Sequence, residues 1–360
     1  MPHGGVMTRA ETHAMAHRLP RAARKVALLH NLDPAWPQQD LDDALRETVR
    51  LGSALEAHGH EITYVPVMND DLRAALEPCD PATYLVFNWC EGLPGVPHSE
   101  ALVAGMLDAA GYTYTGAPAP VLELSEDKPR VKELLQACRV PTSRGMVMNT
   151  PRDVASWSIF PAIVKSSHEH CSLGMTAQSV VLNQRELAEQ VAHVHATLQQ
   201  PALVEEFIDG REFHVSFWGN RRLEMLPPVE MDFSRLQDVH ERLCGYDAKF
   251  KPESKPYKEI QTVLPAPLTE EELARLKQVC SAAYRAVGCR DYGRLDVRMR
   301  DGEFYVLDVN PNPDFSADAS MACAAEYLGY TYGQMGSRVV QLAAARNRRA
   351  SARPQYSRKR

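Results

Sequence analysis

The regular alternation of short apolar runs with helical patterns over residues 25–111 is the feature that most constrains the fold of this 360-residue chain. The apolar runs, which are predicted strands, cover residues 26–29, 61–67 and 84–88. The helical patterns cover residues 40–58, 70–76 and 99–110, and a glycine follows the first and the last of them. Strands that alternate with helices favour an α/β unit with a parallel sheet, whose ligands bind beyond the carboxyl ends of the strands. The segment 88–92 lies at such an end.

The rest of the chain predicts two further units in which strands and helices are mixed. Ser125 is a suitable N-cap for a helix that carries Pro129 in its first turn. Thr269 and Glu272 form a capping box in front of a long apolar stripe. The remaining predicted strands cover residues 160–165, 202–206, 293–298 and 303–310, and the remaining helices cover residues 185–198 and 334–345. These units are of the α+β type.

Composition predicts an ordinary globular chain and argues against two classes of function. No run of 18 apolar residues occurs, so a membrane span is excluded. The formal net charge of −6, with no large basic excess, argues against nucleic-acid binding. Residues 1–24 are expected to form a disordered extension, and residues 346–360, with seven basic residues and no acid, a solvated basic tail.

The eight cysteines are scattered along the chain, and no CxxC pair occurs among them. A structural zinc site needs closely spaced ligands, and a disulfide scaffold needs a short, cysteine-rich secreted chain. Neither condition is met. Reduced thiols and a cytoplasmic location are therefore predicted.

The two closing strands carry the most informative polar residues. Because side chains alternate between faces along a strand, Leu307 and Val309 are expected in the core, and Asp308 and Asn310 on the opposite face. If the strands pair as a hairpin, Asp296 approaches the latter two. Two carboxylates and an amide oxygen on one face suit Mg²⁺. An amphipathic hairpin whose polar face meets water explains the same pattern.

Other segments carry residues suited to a nucleotide. Lys165 ends a predicted strand beside the polar loop 166–174, whose backbone N–H groups are expected to meet phosphate oxygens. Lys128 supplies a second ammonium at the start of its helix. The strand at 202–206 runs into a hinge suited to an adenine edge, and Glu212 follows within reach of a ribose. Taken singly, each is also explained as a surface lysine or a solvated acid, but the set in this order is unlike a chance arrangement.

With these motifs in this order, the chain resembles the ATP-grasp superfamily and, within it, the D-alanine–D-alanine ligase-like group, over residues 25–346. The segments 87–92 and 114–116 resemble the N-terminal domain of that group. The resemblance implies a three-lobed ATP-grasp fold, α/β in its N-terminal part and α+β in its C-terminal part. The expected boundaries are 25–124 for the N-terminal parallel α/β domain, 125–208 for the central lobe and 209–345 for the C-terminal lobe, with the last two lobes clamping ATP.

The resemblance also implies a role for each matching residue. Nucleotide binding is expected of Lys128, Lys165, Ser172, Glu205, Glu206, Phe207, Ile208 and Glu212. Among these, the lysines would hold phosphates, the backbone of Glu205 and Ile208 would meet adenine, and Glu212 would bind the ribose. Asp296, Asp308 and Asn310 would hold two Mg²⁺ ions, for which Mn²⁺ is a substitute. The expected catalytic residues are Arg294, at the oxyanion of the tetrahedral intermediate, and Lys249, near the γ-phosphate.

The implied reaction is the ATP-dependent joining of a small carboxylate to an amine, through an acyl phosphate, to give a dipeptide or a related amide. The residues that bind substrate differ from the family pattern. The Gly-Gly-x-Ser-x-Glu segment after the first strand is absent from residues 28–36, and Asp314 replaces a glycine. Asp314 is suited either to a cationic substrate group or to a solvated turn.

Several functions therefore stay open at this point. The first is a ligase of specialised metabolism acting on amino acids or other small molecules, and the second is a cell-wall D-alanine–D-alanine ligase. A phosphotransferase acting on a small carboxylate and a non-catalytic nucleotide-binding module belong to other classes. The expected partners are small molecules, with neither nucleic acid nor membrane, and a homodimer is compatible with the sequence.

Overall fold

The fold is that of a computed structural model, which describes residues 23–168, 175–245, 248 and 253–351. Strands and helices form three sheets with helices packed against them. No helix in these described residues is both long enough and apolar enough to cross a membrane. The predicted extension at 1–24 lies almost entirely outside the described residues.

The first sheet is parallel, as the alternation predicts, with strand order β2-β1-β3-β4. Its strands are β1 (Lys25–Asn31), β2 (Glu61–Val67), β3 (Tyr84–Trp89) and β4 (Thr113–Tyr114). The helices that follow the first three strands are α1 (Gln38–Glu56), α2 (Leu72–Leu76) and α3 (Glu100–Ala109). Apolar side chains from both faces of β1 are fully buried, since α1 covers one face and α2 and α3 cover the other. The α/β class of this unit is confirmed.

The second sheet is antiparallel, with strand order β5-β8-β6-β7. Its strands are β5 (Gly145–Met148), β6 (Ala162–Ser166), β7 (Val180–Val181) and β8 (Ala202–Glu206). Before it come α4 (Ala119–Glu126) and α5 (Lys128–Ala137), and α6 (Gln184–Leu198) packs on one face. The predicted cap at Ser125 is wrong, because Ser125 lies inside α4 and donates to the Leu122 carbonyl. Asp127 caps α5 instead by accepting from the Arg130 N–H.

The third sheet is antiparallel, with main order β12-β11-β9-β13-β14 and β10 paired to β9. Its strands are β9 (Arg211–Gly219), β10 (Leu223–Met225), β11 (Val229–Asp232), β12 (Gln261–Val263), β13 (Tyr292–Arg300) and β14 (Glu303–Asn310). The remaining helices are α7 (Lys255–Glu259), α8 (Glu270–Val287), α9 (Ser320–Tyr327) and α10 (Tyr332–Ser351). The capping box is confirmed, since the Thr269 hydroxyl accepts from the Glu272 N–H while Thr269 N–H donates to the Glu272 carboxylate. One face of the sheet packs against α5 and α8.

The predicted hairpin of β13 and β14 is confirmed, but a bulge breaks the expected alternation. Arg294 pairs with Asn310 and Asp296 with Asp308, whereas Val297 pairs with Val306. The extra residue is Leu307, so Val306 rather than Leu307 shares the core with Val309. Leu307 therefore lies on the polar face, and its expected core position is wrong.

The C-terminal helix continues beyond the predicted end of the fold. Arg346, which was expected in a solvated tail, lies in α10 and forms an ion pair with the fully buried Asp291 at 2.7 Å. Asp291 also accepts hydrogen bonds from the Gly116 N–H and the Asn220 amide. This carboxylate therefore joins the first sheet, the third sheet and the last helix.

Gly210, between β8 and β9, lies where the backbone of the third sheet comes close. A Cβ at this position would overlap the carbonyl oxygen of Met299. Because that oxygen belongs to a paired strand and cannot move freely, Gly210→Ala is expected to destabilise the protein by about 1–3 kcal/mol. Urea denaturation followed by circular dichroism measures the change.

Gly105→Ala in α3 is the matched control. Its Cβ would meet only the Ala119 Cβ, at 3.8 Å. Because alanine favours a helix interior over glycine by about 1 kcal/mol, this variant should be as stable as the parent or more so. An unchanged urea midpoint for Gly210→Ala would show that the close approach of the Met299 carbonyl oxygen to residue 210 does not affect stability.

Candidate active site

One face of the third sheet carries a row of polar side chains at alternate strand positions. In the strand register, Glu212 lies opposite Arg298, His214 opposite Asp296, and Ser216 opposite Arg294. The intervening residues of β9 and β13, such as Phe213 and Val297, are fully buried on the other face. Because successive side chains of a strand point to opposite faces, the sheet has one apolar face in the core and one polar face that carries the candidate site residues.

Asp296, Asp308 and Asn310 come together on this face, as the sequence predicts. Asp296 and Asp308 are direct cross-strand partners, and the Asn310 amide donates to the Asp296 carboxylate at 3.3 Å. That hydrogen bond uses the NH₂ group of Asn310, which leaves its amide oxygen as an acceptor. The donor set is thus two carboxylates and an amide oxygen, which is the oxygen-only chemistry that Mg²⁺ prefers. These residues fit a magnesium site.

Arg294 lies beside this oxygen cluster and forms a bidentate pair with Asp296. Its Nε donates to Oδ1 at 2.7 Å and its terminal nitrogen donates to Oδ2 at 3.1 Å. Burial by itself would lower the pKa of Arg294, but Asp296 outweighs that effect and raises the pKa above its usual value. Arg294 is therefore a permanent cation, and its expected contact with an oxyanion stays a prediction.

A buried carboxylate between two lysines forms the second part of the site. Glu205 is 2% exposed, and its two oxygens lie 2.5 Å from the Lys132 ammonium and 2.8 Å from the Lys165 ammonium. The Ser143 hydroxyl donates to the same carboxylate at 2.9 Å. Burial would raise the pKa of Glu205, but Lys165 and Lys132 reverse this and hold it at about 2. Glu205 in turn keeps the pKa of Lys165, whose side chain is 12% exposed, above its usual value.

The side chain of Glu205 has a role that the sequence did not predict. Glu205 lies in strand β8, which pairs with β5 on one side and β6 on the other, and its carboxylate joins the lysine cluster. The expected contact of its backbone with adenine stays a prediction. Lys132 is a residue that sequence reasoning missed, although its position four residues after Lys128 places both lysines on one helix face.

Lys128 connects the lysine cluster to the metal residues. It lies at the first position of α5, where its backbone N–H donates to the Ser167 carbonyl. Lys128, Glu205 and Asp308 line one narrow cleft, together with Lys132 and the bulged Leu307. One predicted phosphate lysine, Lys128, and one predicted metal ligand, Asp308, therefore lie along the same cleft.

Arg298 organises the segment expected to meet adenine, and the sequence analysis did not single it out. Its guanidinium lies 4.5 Å from the centroid of the Phe207 ring. It donates to the Glu212 carboxylate at 2.7 Å and to the Ile208 carbonyl at 2.9 Å. Phe207, Ile208 and Glu212 are thereby held together by one buried cation. Glu206, by contrast, forms a part-exposed pair with Arg300.

Acidic groups from the first unit border the site near Asp314. The Asn312 amide donates to Glu100 at 2.6 Å, while burial raises the pKa of the Glu100 carboxyl to about 7. The side chain of Glu91 is exposed, but nearby protein atoms exclude part of its water. This desolvation raises the pKa of Glu91, and the charge of Asp314 raises it further. Asp314 is itself exposed and accepts hydrogen bonds from Ser316.

Two candidate residues, Ser172 and Lys249, lie outside the described residues. Their expected contacts with phosphate therefore stay predictions. The same holds for most of the loop 166–174, of which the structure describes residues 166–168.

Comparison with known proteins agrees with this geometry. Residues 138–341 match the family model described as D-ala D-ala ligase C-terminus. The "Uncharacterized protein y4sG" of Sinorhizobium fredii (strain NBRC 101917 / NGR234) is 32% identical over 315 residues, which cover 86% of this chain and 88% of that protein.

Solved structures share the fold at low sequence identity. The D-alanine–D-alanine ligase of Bacillus anthracis complexed with ATP has a TM-score of 0.68 at 16% identity and covers 91% of this chain and 100% of its own. The VanG D-Ala:D-Ser ligase of Enterococcus faecalis has a TM-score of 0.68 at 17% identity and covers 89% of this chain and 99% of its own.

Fold and site together define the ATP-grasp class of ligases. Within that class, the chain belongs to the D-alanine–D-alanine ligase family. The fold and the family that the sequence predicts are therefore confirmed.

Removal of the Glu205 charge tests the buried cluster. Glu205→Gln leaves the ammonium groups of Lys132 and Lys165 without their anion, so at neutral pH we expect a loss of stability of about 3–5 kcal/mol. Glu206→Gln is the matched control, because its partner Arg300 is part-exposed and such pairs contribute about 1 kcal/mol or less. Urea denaturation of both variants gives the comparison.

The pH dependence of this loss has a defined sign. The pKa of Glu205 is about 2 in the folded protein, below the ordinary value of 4.5 for a glutamate in the unfolded chain. A lowered pKa stabilises the fold fully above the unfolded value, and that contribution is lost as the pH falls toward the folded value. The stability difference between the parent and Glu205→Gln should therefore be constant above about pH 5 and narrow from pH 4.5 toward pH 2. A difference that grows on acidification would contradict the charged cluster.

Proposed function

We propose that the chain is an ATP-dependent carboxylate–amine ligase that forms a dipeptide or a related amide through an acyl phosphate. The observation that carries this proposal is the convergence of Arg294 with the oxygen cluster of Asp296, Asp308 and Asn310 on one sheet face. Lys128, Lys132 and Glu205 line the same cleft as Asp308. Each of the three sheets lies within one of the ranges 25–124, 125–208 and 209–345, which supports these lobe boundaries. The free thiols of the described cysteines support a cytoplasmic location.

The chemistry explains why these residue types are needed. A carboxylate is a poor electrophile, so the γ-phosphate of ATP is first transferred to it, and an amine then displaces phosphate. Asp296, Asp308 and Asn310 would hold Mg²⁺, which neutralises charge on the phosphates and orients them. Two ions are proposed, with Mn²⁺ as a substitute.

The chain's own cations complete the electrostatics. Lys128 and Lys165 are proposed to bind the phosphates, and Glu205 holds Lys165 in place and keeps it charged. Arg298 holds Glu212, which is proposed to accept hydrogen bonds from the ribose hydroxyls. Arg294 is proposed to stabilise the oxyanion that forms when the amine attacks.

Within this class, we favour amino-acid or related substrates of a specialised pathway over the cell-wall reaction. The family segment that holds the first amino group is absent from residues 28–36. Glu91, Glu100 and Asp314 contribute acidic groups on the side from which a substrate would enter. Asp314 replaces a glycine of the family pattern, whereas most of the metal and nucleotide residues match that pattern.

The reaction is tested by measuring phosphate release from ATP with single amino acids and with pairs, D-alanine included, and by identifying the products by mass. Release that requires two substrates and yields an amide supports the proposal. Release with D-alanine alone, giving its dipeptide, assigns the cell-wall reaction. A stable phosphorylated carboxylate formed without an amine would instead assign a phosphotransferase.

Arg294→Ala tests the oxyanion role. Loss of one such donor is expected to lower turnover about 100- to 1000-fold, because the donor acts mainly in the transition state. ATP affinity, measured by calorimetry with Mg²⁺, should change little.

Arg275→Ala is the matched control, since Arg275 lies on the exposed face of α8 and pairs with Glu303. Its turnover and ATP affinity should equal those of the parent. Unchanged turnover in Arg294→Ala would refute the role assigned to Arg294.

A further inference from the structure

Glu212, His214 and Cys244 form a cluster of potential metal ligands on the polar face of the third sheet. One ligand atom from each side chain lies within 4.8 Å of the other two. Glu212 and His214 occupy alternate positions of β9, so both point to the same face. Cys244 comes from the segment that follows β11, and all three side chains are 9% exposed or less.

The ligand chemistry of this cluster differs from that of the magnesium residues. Asp296, Asp308 and Asn310 offer only oxygen, which suits a hard cation. A thiolate, an imidazole and a carboxylate are instead the ligands of Zn²⁺, which accepts sulfur, nitrogen and oxygen in tetrahedral geometry. Ligand atoms of such a site lie about 3.4–3.8 Å apart, so the side chains need to move inward by roughly 1 Å at most.

Neighbouring residues orient two of the three ligands for this task. The His214 Nδ1 lies 2.8 Å from the Ser320 hydroxyl oxygen. When Nδ1–H donates to that oxygen, Nε2 is the nitrogen with a lone pair for a metal. Arg298 donates to one Glu212 oxygen, Oε2, and so fixes the orientation of a carboxylate that has a second oxygen for a metal. Hydrogen bonds that orient the ligands in this way are typical of metal sites in proteins.

We propose that Glu212, His214 and Cys244 form a Zn²⁺ site that competes with the nucleotide. On binding, the Cys244 thiol loses its proton to solvent, and the three side chains leave a fourth zinc position for water. Glu212, when bound to zinc, cannot accept hydrogen bonds from the ribose. The zinc charge also lies near Asp296, whose Oδ1 is 3.9 Å from the His214 Nε2. Zinc binding stands on the cluster alone, whereas the competition rests on the proposed function.

Metal binding is tested on the full chain with Co²⁺ as a spectroscopic substitute for Zn²⁺. The parent should bind one Co²⁺ with a sulfur-to-cobalt charge-transfer band that Zn²⁺ abolishes. Cys244→Ser should lose the band and weaken zinc binding at least tenfold, since even the loss of an outer contact typically costs about 10- to 100-fold. Cys289→Ser, which removes a part-buried thiol outside the cluster, is the matched control and should keep both properties.

A second variant guards against an effect of misfolding. His214→Asn should weaken zinc binding as Cys244→Ser does, while circular dichroism shows that both variants keep the parent's fold. Parent-like zinc affinity in folded Cys244→Ser would overturn the proposal. So would a charge-transfer band that persists in Cys244→Ser.

Competition is measured separately, as the inhibition of ATP turnover by zinc at saturating Mg²⁺. The parent should be inhibited competitively with ATP, and Cys244→Ser should need at least tenfold more zinc for the same effect. Equal inhibition of both proteins would mean that zinc acts at Asp296 and Asp308, and it would overturn the competition. If the zinc-free parent shows no turnover at all, the proposed function fails, while the cobalt spectrum still decides the metal site.

Discussion

The buried carboxylate of Glu205 is the interaction on which the geometry of the site depends. Taking an ion out of water is costly, so Glu205 is stable in the interior only with both Lys132 and Lys165 in contact. Lys132 belongs to α5 and Lys165 to β6, and the cluster therefore fixes a helix against the second sheet. It also holds Lys165 in its charged form, within the field of Asp308. On the proposed function, a cation for phosphate is thus in place before the nucleotide binds.

Local patterns predicted much of this molecule because strand alternation is a local property. The parallel sheet, the capping box at Thr269 and the approach of Asp296 to Asp308 all follow from spacing along the chain. The same reasoning failed at Leu307, where one extra residue in β14 reverses the face. It failed again at Ser125, because two capping residues lie within three positions and the geometry of the α4–α5 break selected Asp127.

The roles of other residues could not be predicted from the sequence, because they arise from contacts between distant segments. Arg298 alternates with Asp296 along β13 and so shares its face, but its contacts with Phe207 and Ile208 depend on how β8 meets the third sheet. Cys244 likewise meets His214 only after the segment following β11 folds back. Spacing along a chain carries no information about such meetings.

Residues that match the family pattern lie on rigid parts of the fold, and those that differ from it lie on variable parts. Asp296, Asp308 and Arg294 project from paired strands, whose register holds side chains to a narrow range of positions. Asp314, which replaces a glycine of the family pattern, lies in a connection between elements, where sequence changes cost less stability. A change of substrate in such a protein therefore requires new loops rather than a new sheet. On the proposed function, the bond-forming residues then stay on the strands, while the loops set which acid and which amine are joined.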